Sequence, residues 1–390
     1  MAQPRDFGFG QDEQMVRDQA RRFLKDNLPV DKLRALVARD HHEAYESATQ
    51  PVYWDQKLWA SATELGWTGL GVPAEAGGAG MGLVAVAALA EEAGRAALPS
   101  PLVSTFCTAE VLKAASAAAG PDGAAAAGAL ARIASGSAAS LAISGDSPAW
   151  DVSETAVRAQ DRSGGVMLSG TSYFVQDARK AGFFLIAARG DETVLAVVDA
   201  DAPGVTIDPD RIVDLTRDQA SVVFSNVEVP AQAVVARGAQ ADAALRRAEP
   251  ALLTIVAADL CGGAEWLLQT TAEYARTRKQ FDRPIGFFQA VKHPIVNMMV
   301  EIDRARSLVY AAASAIDHEP ENGERLARMA KAAASDAAAF VAGRAIQLHG
   351  GIGFTWECDV HIWVKRLQHN QFLYGDGSHH RARLAEIFDA

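Results

Sequence analysis

The chain has 390 residues, 49% of them hydrophobic and 22% charged, so it is too long for one compact core and too apolar for a disordered protein. Its formal charge of −11 argues against nucleic acid as the main partner, because binding phosphates needs a basic face. An anionic ligand held by a local cationic patch stays open.

The first residues, MAQPRDFGFG, lack a positive flank leading into an apolar run, so no signal peptide is expected. Residues 11–112 read as helical: Val16, Ala20, Phe23 and Leu24 recur at helical spacing, and Leu83 to Ala93 forms a second apolar face. Between them Gly66-Trp67-Thr68-Gly69-Leu70-Gly71-Val72-Pro73 and Gly77-Gly78 make a turn-rich crossing. Residues 114–139 are almost pure Ala, Gly and Ser around one Pro-Asp-Gly turn, which suits either a linker or a small-residue helix. From about 140 to 236 the texture changes to strand, at 166–176, 183–189, 193–200 and 221–229, with turn signals between and no helices. An antiparallel barrel or sandwich is expected there.

From 241 onward four helical stretches follow, at 243–278, 289–317, 323–349 and 359–388, the last broken near Gly375. Ile295, Met299, Ile302, Ala305 and Val309 mark one apolar face, which suits a broad association surface. Long helices with short connections make a four-helix bundle. The expected domains are a helical one over 1–120, a β domain over 121–238 and the bundle over 239–390. No run of about eighteen strongly apolar residues predicts a membrane span. Cys107, Cys261 and Cys358 lie far apart with no CxxC, and read as inert thiols in a reducing cytoplasm.

Three segments carry a resemblance. They are Tyr274-Ala-Arg-Thr-Arg278-Lys-Gln-Phe281-Asp-Arg-Pro-Ile285-Gly286-Phe-Phe-Gln289-Ala-Val-Lys-His293, then Gln347-Leu-His-Gly350-Gly351-Ile-Gly353-Phe354-Thr-Trp-Glu357, and the Trp67–Gly78 crossing. Together they resemble the acyl-CoA dehydrogenase family over essentially the whole chain. Arg278 stands three residues before Phe281, which predicts one helical face. A guanidinium there suits a bidentate grip on a pyrophosphate with the ring beside an adenine; a surface Arg above a core Phe is the plainer alternative. Gly350 and Gly351 permit close approach of a ligand, end a helix in a left-handed turn, or do both.

The resemblance implies an α+β multidomain protein with the acyl-CoA dehydrogenase fold: N-terminal helical domain, middle antiparallel β domain, C-terminal four-helix bundle. It implies FAD, with Arg278, Phe281, Gln289, Gln347, Gly350 and Gly351 holding a flavin bound mainly by a neighbouring subunit, and therefore an oligomer. The implied reaction is α,β-dehydrogenation of an acyl-CoA thioester: a carboxylate takes the α-proton, and the β-hydrogen leaves as hydride to the flavin. An electron-transfer flavoprotein is the implied acceptor.

Some segments depart from the family's pattern. The usual Tyr-Glu-Gly-Thr carboxylate slot, counted without gaps from Glu357, falls on Tyr374, and Asp376 is the nearest carboxylate. A one- or two-residue gap would make Asp376 a candidate base, but an ordinary Gly-Asp-Gly turn is the favoured reading. The alternative slot on the first bundle helix falls on Leu252, with Glu249 one turn earlier; Glu249 reads either as the base or as a solvated first-turn residue before Pro250, and of the two carboxylates it is the expected base, with Asp376 the fallback. The usual Thr-Glu-Pro segment corresponds roughly to Leu141–Trp150, and the flavin-flanking Trp-Ile-Thr to Phe174-Val175-Gln176. The half that reaches a neighbour's flavin is intact and the half that holds the chain's own is eroded. A heteromer is therefore favoured over a homotetramer, with resemblance to the smaller subunits of dehydrogenases acting on steroid side-chain or pimeloyl-CoA substrates. Two rivals stay open: a non-catalytic partner completing another chain's flavin site, and a flavin oxidase or monooxygenase on the same fold. The pairs His41-His42 and His379-His380 read as surface residues without a metal role.

Overall fold

The computed structural model describes residues 7–38, 50–119, 123–147 and 155–389. The N-terminal helices follow the apolar spacing: α1 (Gln11–Asn27) buries Ala20 and Leu24, and α2 (Val30–Ala38) buries Leu33 and Val37. In α3 (Gln56–Glu64) the first amides are capped by Asp55, whose carboxylate accepts from the Lys57 and Leu58 N–H groups at 3.0 and 3.1 Å. Helix α4 (Leu83–Arg95) is buried along almost its whole length. α5 (Leu102–Ala119) and α6 (Ala124–Ala134) follow, so the Ala-rich stretch is helical before and after its Pro-Asp-Gly sequence, of which residues 121 and 122 lie outside the described residues.

The β region holds β1 (Ala139–Ala142), β2 (Arg158–Arg162), β3 (Gly165–Gln176), β4 (Phe183–Arg189), β5 (Thr193–Asp199), β6 (Val205–Pro209), β7 (Gln219–Pro230) and β8 (Val234–Arg237). Their order is β6-β7-β3-β2-β4-β5-β8, and β1 pairs with β4. The four strands legible in the sequence are β3, β4, β5 and β7. β2 escaped because it is mostly exposed, and β1, β6 and β8 because each is only four or five residues long. The expectation of a purely antiparallel sheet is corrected at β1–β4, which runs parallel from Ala139↔Phe183 to Ala142↔Ile186. Two strands intervene between them, and that crossover is what parallel pairing requires.

Alternation along β4 joins the two cores. Phe184 and Ile186 pack inside the β region, while Phe183, Leu185 and Ala187 belong to the same apolar cluster as the helices.

The C-terminal half comprises α7 (Gly238–Thr277), α8 (Gln289–His318), α9 (Pro320–His349), and a last stretch split into α10 (Val360–Phe372) and α11 (Gly377–Asp389). By composition α7 is apolar enough to cross a membrane, yet 89% of its most apolar window is buried inside the protein. Helices α4 and α7 cross at backbone contact. A Cβ on Gly94 would lie 2.0 Å from the Asp259 carbonyl oxygen, and one on Gly262 would lie 1.8 Å from that of Glu91. Nothing larger than glycine fits at that crossing. The predicted association face is corrected: Ile302, Ala305 and Val309 are buried in the chain's own bundle, and the exposed apolar residues are Val296, Met299 and Val300. Helical spacing reports a buried face without saying which partner buries it.

Candidate functional site

The two C-terminal motifs meet through a ring stack. Tyr274, in the last turn of α7, lies against His349 at the end of α9, with centroids 4.4 Å apart and planes 23° from parallel. His349 is buried with Nδ1 2.8 Å from the Ala345 carbonyl oxygen, and burial holds its pKa below the usual value. Gly350 follows at φ 65° and ψ −149°, a region open essentially to glycine alone. A Cβ at Gly350 or Gly351 would meet nothing within 4 Å, so the backbone there faces open space.

The predicted shared helical face of Arg278 and Phe281 is corrected. Helix α7 stops at Thr277, Arg278 is its extended cap, and Lys279–Gln280 pairs with Arg283–Pro284 as a hairpin. Phe281 and Asp282 form its tip at φ 54° and 60°. A two-residue hairpin turn of the primed type needs positive φ at both central positions, and a phenyl side chain seldom accepts it. Such strain gathers at ligand sites. Phe281 is 84% exposed, and the Arg278 guanidinium is exposed with no ion pair among the described residues. Gln289, at the start of α8, and Gln347, in the last turn of α9, are exposed too. All six residues expected at the cofactor therefore lie on the outer surface of the bundle.

The segments that depart from the family's pattern also converge, but on a closed space. Ser104, Leu141, Ser144, Phe174, Gln176 and Tyr374 line a cavity of only about 10 Å³, roughly the room of one water. Tyr374 has φ 58°, and its hydroxyl faces the Cys107 thiol; burial raises both pKa values, Cys107 to about 12. Residues 148–150 of the segment matched to Thr-Glu-Pro lie outside the described residues, as do His41 and His42.

A larger pocket of about 430 Å³ opens beside this closed centre, lined by Phe174, Gln219, His369, Phe372, Asp376 and His379. Asp376 both caps and lines: its carboxylate accepts the His379 N–H at 2.9 Å, opening α11, and it borders the pocket. Its loop is pinned from beneath by Lys331, whose buried ammonium donates to the carbonyl oxygens of Gln371 at 2.9 Å and Gly375 at 2.7 Å, and to Ser335 Oγ at 3.0 Å. Burial pushes Lys331 down to about 7, with Asp376 opposing that fall. His369 is likewise lowered by burial to about 4, so it is neutral near pH 7, with Nε2 2.8 Å from Gln176 Oε1.

Glu249 is not a first-turn residue. Its helix begins at Gly238 and continues through Pro250, so Glu249 lies in the interior, where the positive end of the helix dipole no longer reaches it. Its Oε2 lies 2.9 Å from Nη2 of Arg328, a buried guanidinium that also meets Glu324 at 2.9 Å. Glu249 and Asp376 nevertheless share a neighbourhood. Burial and then Arg328 lower the His379 pKa, and both carboxylates oppose that fall. The reading of His379-His380 as a surface pair is corrected at His380, which is fully buried and pushed by burial to about 3.

Beneath the pocket lies a group of buried charges that sequence reasoning missed. Asp259 of α7 accepts from Arg366 Nε at 3.0 Å and Nη2 at 2.6 Å, and from Asn370 at 2.6 Å, with Arg217 Nη2 3.1 Å away. Arg366 also donates to Thr216 Oγ1 at 2.9 Å, so one ion cluster ties α7, α10 and the approach to β7 together. The available signal was a lone carboxylate inside the apolar run ALLTIVAADLCGGA.

Residues 10–120 match the family model of the acyl-CoA dehydrogenase N-terminal domain, and residues 254–388 that of the C-terminal domain. Acyl-CoA dehydrogenase IpdE2 of Mycobacterium tuberculosis is 31% identical over 358 residues, 91% of each chain. Among solved structures, a Tcur3481–Tcur3483 steroid ACAD variant superposes with TM-score 0.83 at 29% identity, covering 98% of each chain. Butyryl-CoA dehydrogenase of Megasphaera elsdenii shares the fold with TM-score 0.84 at 22% identity, covering 99% of this chain and 100% of that one. With helices, sheet and bundle in the expected order and family matches at both ends, the chain belongs to the acyl-CoA dehydrogenase family and is an oxidoreductase of that class.

Proposed function

We propose that this chain is one subunit of an FAD-dependent acyl-CoA dehydrogenase, two copies assembled with two copies of a related subunit, and that its outer face clasps a flavin held mainly by the neighbour. One observation carries the reading. The residues suited to reach a neighbour's cofactor are exposed on the bundle, while Leu141, Ser144, Phe174 and Gln176, from the segments matched to the chain's own flavin contacts, close on about 10 Å³. The clasp fits its ligand chemically: Arg278 offers an unpaired guanidinium for a pyrophosphate, Phe281 an exposed ring for an adenine, and Gly350-Gly351 an unobstructed backbone. The Tcur3481–Tcur3483 steroid ACAD is named for two chains, which supports a two-component assembly here.

Bound FAD supplies the acceptor for the hydride leaving the substrate's β-carbon. Asp376 is the proposed base for the α-proton, ahead of Glu249, because it borders the open pocket whereas Glu249 is committed to Arg328. Lys331 acts on it only by positioning the loop. A bulky acyl-CoA as substrate, reoxidation by an electron-transfer flavoprotein and a cytoplasmic location belong to the same reading.

Mass measurement with flavin quantification tests the assembly. The expected result is little flavin on the chain alone and about one FAD per pair of chains when it is co-purified with its partner. A homotetramer active by itself with one FAD per chain would sink the proposal. For the base, Asp376→Asn is expected to slow α-proton exchange of bound acyl-CoA by about a hundredfold while binding survives, and Glu249→Gln to change it little. If neither variant slows exchange, the base belongs to the partner chain.

A further inference from the structure

A second cavity of about 350 Å³, the size of a small-ligand pocket, opens where α1 and the α1–α2 turn meet α4, α7 and α10. Its floor is indole. Trp266 and Trp363 stack with centroids 3.4 Å apart and planes 4° from parallel, and Trp363 Nε1 donates to the Arg95 carbonyl oxygen at 3.0 Å, which fixes the stack. Trp363 is buried but Trp266 only partly, so ring surface of Trp266 remains available. Leu24, Leu28 and Pro29 supply an apolar wall.

The rim is cationic. Arg21, Lys25 and Arg95 line it against one carboxylate, Glu92, which Arg21 grips at 3.0 and 2.6 Å. Glu265, 3.8 Å from Arg95, offsets a second charge. Arg95 Nε is buried without a hydrogen-bond partner, 3.7 Å from Glu92, and Lys25 makes no ion pair among the described residues. A buried donor left unpaired costs stability; Glu91, Glu92 and Glu265 all act on Arg95, yet its Nε is left without an acceptor, and an anion in the cavity would supply one. Helix α10 carries His369 and Phe372 onward to the larger pocket, so the two cavities share a wall element while differing in their lining.

We propose that this cavity binds a flat, largely apolar monoanion, an aromatic or polycyclic carboxylate, with its ring body on Trp266 and its charge toward Arg95 and Lys25. An aromatic face favours an offset-stacked ring, and a desolvated guanidinium favours a carboxylate.

The test titrates naphthoate into the purified oligomer by calorimetry and by quenching of tryptophan fluorescence. Expected are saturable binding of one naphthoate per chain, weakening as salt rises, and affinity for uncharged naphthalene lower by about tenfold. Ala96→Phe, which puts a ring into the cavity from its own wall, is expected to abolish binding. Lys25→Glu alters an exposed side chain that the fold does not need, and is expected to weaken binding by about tenfold with circular dichroism unchanged. Absence of saturable binding to the wild-type protein overturns the proposal. So does affinity unchanged in Lys25→Glu, whether or not Ala96→Phe folds.

Discussion

Asp259→Ala is expected to destabilise the protein by about 3–5 kcal/mol, seen as a lower urea midpoint with little change in the slope of the transition. Asp259 is fully buried, and so is Arg366, which it holds through two hydrogen bonds; Arg217, 3.1 Å away, is nearly so. Removing the carboxylate leaves two guanidinium groups in a dry interior with one counter-charge fewer, which is why the loss exceeds that of an ordinary surface pair. Burial alone would raise the Asp259 pKa, but Arg366 and Arg217 outweigh it and hold the group below its usual 3.8. A depressed carboxylate lends stability above its unfolded value and loses it as pH falls through the folded one. The wild-type protein is therefore expected to lose part of its stability as pH falls below about 3.8, and Asp259→Ala to lack that part of the acid transition. Asp259→Asn, which keeps the shape and removes the charge, should fall between the two. A variant as stable as wild type would mean that the buried arginines find water or other acceptors.

Arg278→Ala is expected to lower flavin affinity of the assembled oligomer by about a hundredfold or more while leaving its thermal midpoint without flavin unchanged. Among the described residues the guanidinium makes no ion pair or hydrogen bond, while the Arg278 backbone is engaged, donating to the Tyr274 carbonyl oxygen at 2.9 Å and accepting from the Ile285 N–H at 2.8 Å. A loss of flavin without loss of stability is therefore the signature of a ligand contact. Arg276, two residues earlier, is the control. It is exposed and pairs with Glu273 at 3.3 Å, so Arg276→Ala should change flavin retention little. Equal retention by both variants would remove Arg278 from the cofactor site and, with it, the clasp.

Periodicity and turn residues by themselves determined the helices, the four long strands and the break near Gly375, because each signal is local and the burial it reports is strong. The motif around Arg278 and Gly350 carried the family. Tertiary structure decided what local pattern cannot reach. It set 279–284 as a hairpin folded back along α7, where Gly286 packs so closely that a Cβ there would lie 3.0 Å from the Ala275 carbonyl oxygen. It turned the Ile302–Val309 stripe inward, since a helix with an apolar side records burial but not the partner that supplies it. It also set Glu249 against Arg328 and Asp376 at the edge of a pocket, a choice fixed by contacts across 79 residues in one case and by a helix cap in the other. The charges around Asp259 were invisible for the same reason: their partners stand 107 and 111 residues away, and only packing brings them within hydrogen-bond distance.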